Sequence, residues 1–194
     1  MIELREIFHD VVVMDGDAWV ADYTESTQRL DKEKRKGVVI SDVPLDDISA
    51  FHLANHDRIP YYAINFEENK FFFPKGIKDC ECMFRCKEVK EGGWLLLCEL
   101  KYGKDKEPNN SDNAAKAYHQ LLDTWKLLRD EKIINPKQCR AFLNISMPAH
   151  LCPPFDAFVV TPMEEIRLKR KFNVVIMGVN EMLIVNKGIL KAVI

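Results

Sequence analysis

The sequence lacks long apolar runs. Among its 194 residues, no stretch approaches the roughly 18 consecutive apolar residues that a membrane-spanning helix requires. The opening segment, MIELREIFHD, also lacks the basic region followed by an apolar run that marks a secretory signal. We therefore expect no membrane partner, and the predicted location is the cytoplasm.

The sequence also lacks an excess of charge of one sign, since its formal net charge is -2. Such a chain is not a polycation, so any binding of nucleic acid would depend on a local basic surface. The densest basic cluster of the second half comprises Arg167, Lys169, Arg170 and Lys171. These residues would either contact phosphates or form the solvated end of a helix. No helix-turn-helix or zinc-finger motif is present.

The six cysteines do not indicate a disulfide framework. An even count suggests disulfides in a short secreted chain, and nothing marks this chain as one. Cys80 and Cys82 lie close together, but within a predicted strand and without a second close pair. Structural zinc sites usually use close pairs on turns. We therefore expect reduced cysteines packed in the interior.

The spacing of apolar residues predicts interleaved helices and strands. The clearest hairpin has arms at residues 80–89 and 94–102, joined by Glu91-Gly92-Gly93. An amphipathic helix packed on a sheet is indicated by the stripe of Ala114, Tyr118, Leu121, Trp125 and Leu128.

Weaker patterns predict a helix over 46–55, a second hairpin with arms at 61–65 and 70–73, a helix over 163–170, and strands over 155–161 and 174–177. The predicted class is α/β or α+β, with a mixed central sheet flanked by helices. The length fits a single domain over residues 1–194.

Charged residues share one face at the ends of both hairpin arms. Side chains alternate along a strand, so Glu99 and Lys101 point the same way, as do Asp79 and Glu81 on the preceding arm. Carboxylates brought this close repel each other unless a cation lies between them. Oxygen ligands with room for water and phosphate suit Mg²⁺. The lysine would then assist an attacking water and stabilise charge that develops on phosphorus.

The stretches KDCECMF, WLLLCELKYG and AAKAYHQLLDTWKLL, over about residues 78–128, resemble the PD-(D/E)xK nuclease superfamily. The resemblance lies in their order: an acid on one strand, Glu-x-Lys on the next, and then a helix containing Gln-Leu. It implies a restriction-endonuclease-like core at about residues 45–150. It also implies metal-dependent hydrolysis of phosphodiester bonds, with DNA as the expected nucleic acid and Mg²⁺ (or Mn²⁺) as the cofactor.

By this resemblance, Glu99 is a metal ligand and Lys101 the catalytic lysine. Glu81 fits the position of the first acid, with Asp79 as the rival ligand, and Gln120 matches a polar position that faces the site. The sequence departs from the family in having no literal Pro-Asp pair, since Pro74 stands five residues before Asp79.

Several alternatives remain open from the sequence alone. Glu99 and Lys101 are also compatible with an ordinary ion pair at a strand end. The acids of the first arm are compatible with edge-strand charges that block aggregation, and Gln120 with a solvent-facing helix residue. The chain would then be an inactive binding or assembly module of the same fold, or an unrelated protein-interaction domain. A homodimer is compatible with either function.

Overall fold

The computed structural model describes residues 3–27, 31, 36–87, 92–102, 110–150, 153–155 and 159–193. The described strands are β1 (Val12–Met14), β2 (Ala18–Asp22), β3 (Val38–Ser41), β4 (Phe51–Ala54), β5 (Tyr61–Asn65), β6 (Cys82–Cys86), β7 (Gly93–Leu100), β8 (Cys139–Ser146), β9 (Val174–Met177), β10 (Glu181–Asn186) and β11 (Ile189–Val193). The described helices are α1 (Leu4–Ile7), α2 (Thr24–Thr27), α3 (Asn110–Asp130) and α4 (Pro162–Phe172), with a 3₁₀ helix at Glu67–Phe72.

The strands form two mixed sheets. The central sheet has six strands in the order β1-β5-β6-β7-β8-β9. Its first four strands pair antiparallel, whereas β7, β8 and β9 run parallel. A parallel pair needs a crossover connection, and α3 and α4 lie in the two crossovers from β7 to β8 and from β8 to β9. The second sheet has five strands in the order β11-β10-β4-β2-β3.

Both faces of the central sheet are covered. On one face, Met83, Leu95 and Leu97 pack in a cluster with Leu121 and Trp125 of α3. On the opposite face, Phe84, Trp94 and Leu96 pack in a second cluster with Phe51 and Leu53 of the second sheet. All of β7 is buried, so its near-continuous apolar sequence is what a strand between two layers requires.

Helix α4 joins the helical layer through specific contacts at its start and end. The side chain of Thr161 accepts a hydrogen bond from the backbone nitrogen of Glu164, and Pro162 occupies the first turn. The Tyr118 hydroxyl of α3 donates to Glu164 Oε1 at 2.8 Å. The helix ends at Asn173, whose φ of 54° is left-handed. The basic residues of its last turns are exposed and lie where cations interact favourably with the helix dipole.

The predicted α+β class with a mixed central sheet is confirmed, as are the antiparallel pairing of β6 with β7 and the helix α3. Residues 88–91, which include Glu91 of the predicted turn, lie outside the described residues. The helices lie on one face of the central sheet, and the second sheet covers the other face. The central sheet also includes β1 and β9, which lie outside the predicted core at 45–150. The single domain over residues 1–194 stays a prediction.

Three local predictions were wrong. The predicted helix over 46–55 contains the strand β4, which pairs with β2 and β10. The predicted arm at 70–73 falls largely in the 3₁₀ helix, so β5 pairs with β1 and β6 instead. Phe155 and residues 159–161, from the strand predicted over 155–161, lie outside any strand, and residues 156–158 are outside the described part of the chain.

The cysteines on described residues are all free, and four of the five are buried. This confirms the expectation of reduced, interior cysteines for them. Cys152 lies outside the described residues.

Candidate active site

The end of β7 and the start of β6 bring the predicted residues together. The register places Cys82 opposite Cys98, and the backbone nitrogen of Glu81 donates to Cys98 O at 3.1 Å. Glu81 therefore lies beside the segment of β7 that leads into Glu99. The neighbouring Lys101 is held by its backbone nitrogen, which donates to Ser146 O at 2.9 Å on the parallel strand β8.

Lys101 connects the sheet to α3. Its ammonium donates to Glu99 Oε1 and, at 3.1 Å, to Gln120 Oε1. The Gln120 amide nitrogen donates in turn to Asp79 O at 3.0 Å. This series of bonds fixes both Lys101 and the segment before β6 relative to α3.

Glu99 is fully buried, with 0% exposure. Its Oε2 atom has no hydrogen-bond partner within the described part of the chain. Leaving a buried carboxylate oxygen without a partner is costly. Such an atom in a native structure indicates a functional requirement or a ligand that satisfies it.

Both glutamates have raised pKa values, chiefly because they are buried. Burial, together with the negative charges of Glu99 and Asp22, raises the pKa of Glu81 to about 9 against the lowering effects of Lys101 and Lys70. Burial also raises the pKa of Glu99, to about 7, although Lys101 opposes the shift. Both carboxyl groups therefore hold a proton more tightly than an exposed glutamate does.

Glu81 opens into a cleft of about 420 Å³, here termed the acidic cleft. Other side chains that line it are Asp22, Glu67, Lys70, Lys78, Asp79 and Gln120. Lys70 pairs with Asp79 Oδ2 at 2.5 Å, so one oxygen of this predicted ligand is already engaged. Glu99 does not line this cleft.

A second cleft of about 340 Å³ adjoins the acidic cleft, because Lys78 and Gln120 line both. Lys116 also lines this second cleft. Neither the Lys78 nor the Lys116 side chain forms a hydrogen bond or ion pair with another described residue, and both residues are exposed. The second cleft thus adds these two ammonium groups to the carboxylates of the acidic cleft, together with Asp123, which pairs with Lys126.

Several residues of the acidic cleft escaped prediction, among them Asp22, Glu67, Lys70 and Lys78. Asp22 ends the buried strand β2 of the second sheet, and Glu67 and Lys70 belong to the 3₁₀ helix. An acid at the end of the apolar run AWVA was the available signal for Asp22, but no local pattern places that strand beside β6. Glu67 reaches the cleft because Gly37 has no side chain, and a Cβ there would overlap the Glu67 carboxylate. That carboxylate accepts a hydrogen bond from the backbone nitrogen of Val38.

No protein-family model, curated protein or solved structure matches this chain. The resemblance to PD-(D/E)xK nucleases therefore rests on residues 78–128. The described residues hold neither a cluster of metal ligands nor a membrane-spanning helix. They contain no group of three or more histidine, cysteine, aspartate or glutamate side chains placed to hold a metal ion. None of their helices is long and apolar enough to cross a membrane.

Proposed function

We propose that this chain hydrolyses phosphodiester bonds in nucleic acid, with DNA as the expected substrate, in the manner of the PD-(D/E)xK nucleases. The main support is the arrangement around Lys101. Its ammonium lies between the Glu99 carboxylate and the Gln120 amide, next to the Glu99 oxygen that lacks a partner. Buried ionisable groups with shifted pKa values, placed beside a cleft, are typical of catalytic sites.

The carboxylates of Glu81 and Glu99 would hold the Mg²⁺ ion. The fit is supported by the buried Oε2 of Glu99, which lacks a partner among the described residues, and by the Glu99 charge, which adds to burial in raising the pKa of Glu81. Mg²⁺ is commonly bound by one or two carboxylates, with water and substrate phosphates completing its coordination. Two glutamates therefore suffice without a third protein ligand. Asp79 stays a predicted alternative ligand.

The metal ion, when bound, supplies a water of lowered pKa and polarises the phosphoryl oxygen. Lys101 contributes a fixed positive charge, which orients the attacking water and stabilises the charge that develops on the phosphate. Gln120 holds that ammonium in place from α3. The Lys101 ammonium donates one hydrogen bond to Glu99 on the sheet and one to Gln120 on α3, so both elements fix its position.

Lys78 and Lys116 would contact substrate phosphates near the scissile bond. Both have unpaired ammonium groups in the cleft that adjoins the acidic cleft. Lys116 and Gln120 are four residues apart on α3 and therefore lie on one helix face. The two lysines, Lys78 and Lys116, would provide the local basic surface that a chain of formal net charge -2 needs in order to bind nucleic acid.

The decisive experiment measures cleavage of end-labelled DNA and RNA by the purified chain with Mg²⁺, Mn²⁺ or EDTA. We expect wild type to cleave DNA with Mg²⁺, and Lys101→Ala to cleave at least about 100-fold more slowly. Lys126→Ala is the matched control, because Lys126 lies on α3 in an exposed ion pair with Asp123. Equal cleavage by wild type and Lys101→Ala would refute the assigned role.

Titration calorimetry with Mg²⁺ and Mn²⁺ separates catalysis from the alternative of an inactive module of the same fold. We expect binding by wild type and no binding by the double variant Glu81→Gln/Glu99→Gln. A wild-type chain that binds neither metal at millimolar concentration would favour the inactive module.

A further inference from the structure

Two sheet edges, neither of which has a further neighbouring strand among the described residues, border one groove on the side of the molecule formed by β1 and β3. β1 is the edge strand of the central sheet, and β3 is the edge strand of the second sheet. A groove of about 780 Å³ lies between them. Its apolar lining is formed by Val12, Val13, Met14, Val39 and Ile40.

Apolar side chains at this groove are unusually exposed. Val12 is 53% exposed, and the neighbouring Val13 is 37% exposed. Edge strands with exposed apolar residues are templates for pairing with another strand unless charges or covering segments prevent it. The position of these valines therefore suits an added strand.

The backbone of β3 offers hydrogen-bonding groups to such a strand. Asn65 Nδ2 donates to Val38 O at 2.9 Å, and the Glu67 carboxylate accepts from Val38 N, so the backbone groups of Val38 point away from β2. Ile40 lies two residues later and directs its own N–H and C=O the same way. No described residue bonds to these two groups of Ile40.

The charges around the groove are mostly acidic. Asp10, Asp15 and Asp42 contribute three carboxylates, whereas Arg58 is the one cation that lines the groove among the described residues. Arg58 pairs with Asp15 at 3.0 Å. Asp10 and Asp42 are exposed and form no ion pair with a described residue.

We propose that this groove binds an extended peptide segment of a partner protein in which apolar residues alternate with lysine or arginine. The segment adds as a strand along Ile40, with its apolar side chains among the valines and its cations beside Asp10 and Asp42. Main-chain bonds supply affinity and alternate side chains supply specificity in such strand addition. The groove shares no lining residue with the acidic cleft, and the proposal does not rest on the hydrolysis proposed there.

The test uses a fluorescent peptide in which lysine and valine alternate three times, together with a lysine-to-glutamate version. A third version is N-methylated on alternate residues to remove its hydrogen-bond donors. We expect the lysine peptide to bind, with amide NMR shifts at Val12–Met14 and 39–42, and both altered peptides to bind at least about fivefold more weakly.

The variant Asp10→Lys/Asp42→Lys should weaken binding of the lysine peptide by about fivefold, as expected for the loss of two exposed charge pairs. Glu165→Lys, on an exposed position of α4, should leave binding unchanged. Equal binding of the glutamate peptide, or shifts elsewhere in the chain, would overturn the proposal. So would sedimentation showing that the groove is closed by a second copy of this chain that the peptide fails to displace.

Discussion

The hydroxyl oxygen of Tyr102 accepts a hydrogen bond from the backbone nitrogen of Asp22 at 3.2 Å. The same hydroxyl donates to Ser49 O at 2.9 Å. Tyr102 directly follows Lys101, and Asp22 ends β2, so this contact attaches the segment that carries Lys101 to the second sheet. The geometry of the acidic cleft therefore depends on how the two sheets pack.

Tyr102→Phe should lower the free energy of unfolding by about 1–3 kcal/mol, because it removes both bonds and leaves two backbone groups without partners. Urea denaturation measures this change. Tyr62→Phe is the control, since the Tyr62 hydroxyl forms no hydrogen bond with a described residue. An equal loss in the two variants would show that the hydroxyl of Tyr102 does not join the sheets.

Glu99→Gln should change how stability depends on pH. The raised pKa of Glu99, about 7 against an ordinary 4.5, means that the folded state keeps this proton after the unfolded state has lost it. Stability of the wild type therefore falls as pH rises through that interval. The amide of the variant does not titrate and still accepts a bond from Lys101. Thermal denaturation in EDTA should show that the stability of the variant rises relative to that of the wild type between pH 5 and pH 8. A difference in stability that stays constant with pH would contradict the raised pKa of Glu99.

Gln120→Leu should slow cleavage by about tenfold at saturating DNA while KM changes little, because Lys101 loses one of the two groups that position it. Gln120→Glu keeps an oxygen acceptor for Lys101, and we expect it to restore part of the rate. Single-turnover kinetics across pH compare the variants. If the two variants lose rate equally, Gln120 acts through the packing of α3 and not through Lys101.

Gly37→Ala should destabilise the fold by about 1–3 kcal/mol, since the added methyl group overlaps the Glu67 carboxylate that caps Val38 N. Gly16→Ala is a matched control because a Cβ at Gly16 has no atom within 4 Å. In the double variant Gly37→Ala/Glu67→Ala the clash is absent. Glu67→Ala should therefore lower the free energy of unfolding less in the Gly37→Ala background than in the wild type. Simple additivity in this double-mutant cycle would rule out the contact.

Lys78→Glu and Lys116→Glu should each weaken DNA binding in EDTA. Each should also reduce the salt dependence of the affinity by about one ion, because one phosphate is no longer neutralised by a lysine. Lys169→Glu tests the alternative basic cluster on α4. This helix packs against β9, which lies two strands from β7 in the central sheet. Fluorescence anisotropy over a range of salt concentrations gives both quantities. A larger effect from Lys169→Glu would place the phosphate-binding surface on α4.

Local patterns predicted the elements whose structure depends on neighbouring residues. The two glycines at the turn, together with β-rich arms, correctly indicated the hairpin of β6 and β7, and α3 followed from its apolar stripe. Every predicted site residue lies in this hairpin, directly beside it, or in α3. The candidate site could therefore be proposed from local sequence patterns.

Long-range pairing decided the elements that local patterns missed. The apolar residues Ile48, Phe51, Leu53 and Ala54 were interpreted as the stripe of a helix, but pairing with β2 and β10 makes residues 51–54 a strand. Asp22 reaches the cleft only because β2 belongs to a sheet assembled from both ends of the described chain. No short-range pattern encodes that proximity.

The interleaving of β4 between β2 and β10 also limits how the chain can be dissected. A fragment restricted to residues 45–150 would lack four of the five strands that cover Phe84, Trp94 and Leu96. The Trp94 indole would also lose its bond to Asn186 O. Those aromatic and aliphatic surfaces would face water, so we expect the excised fragment to aggregate more readily than the whole chain.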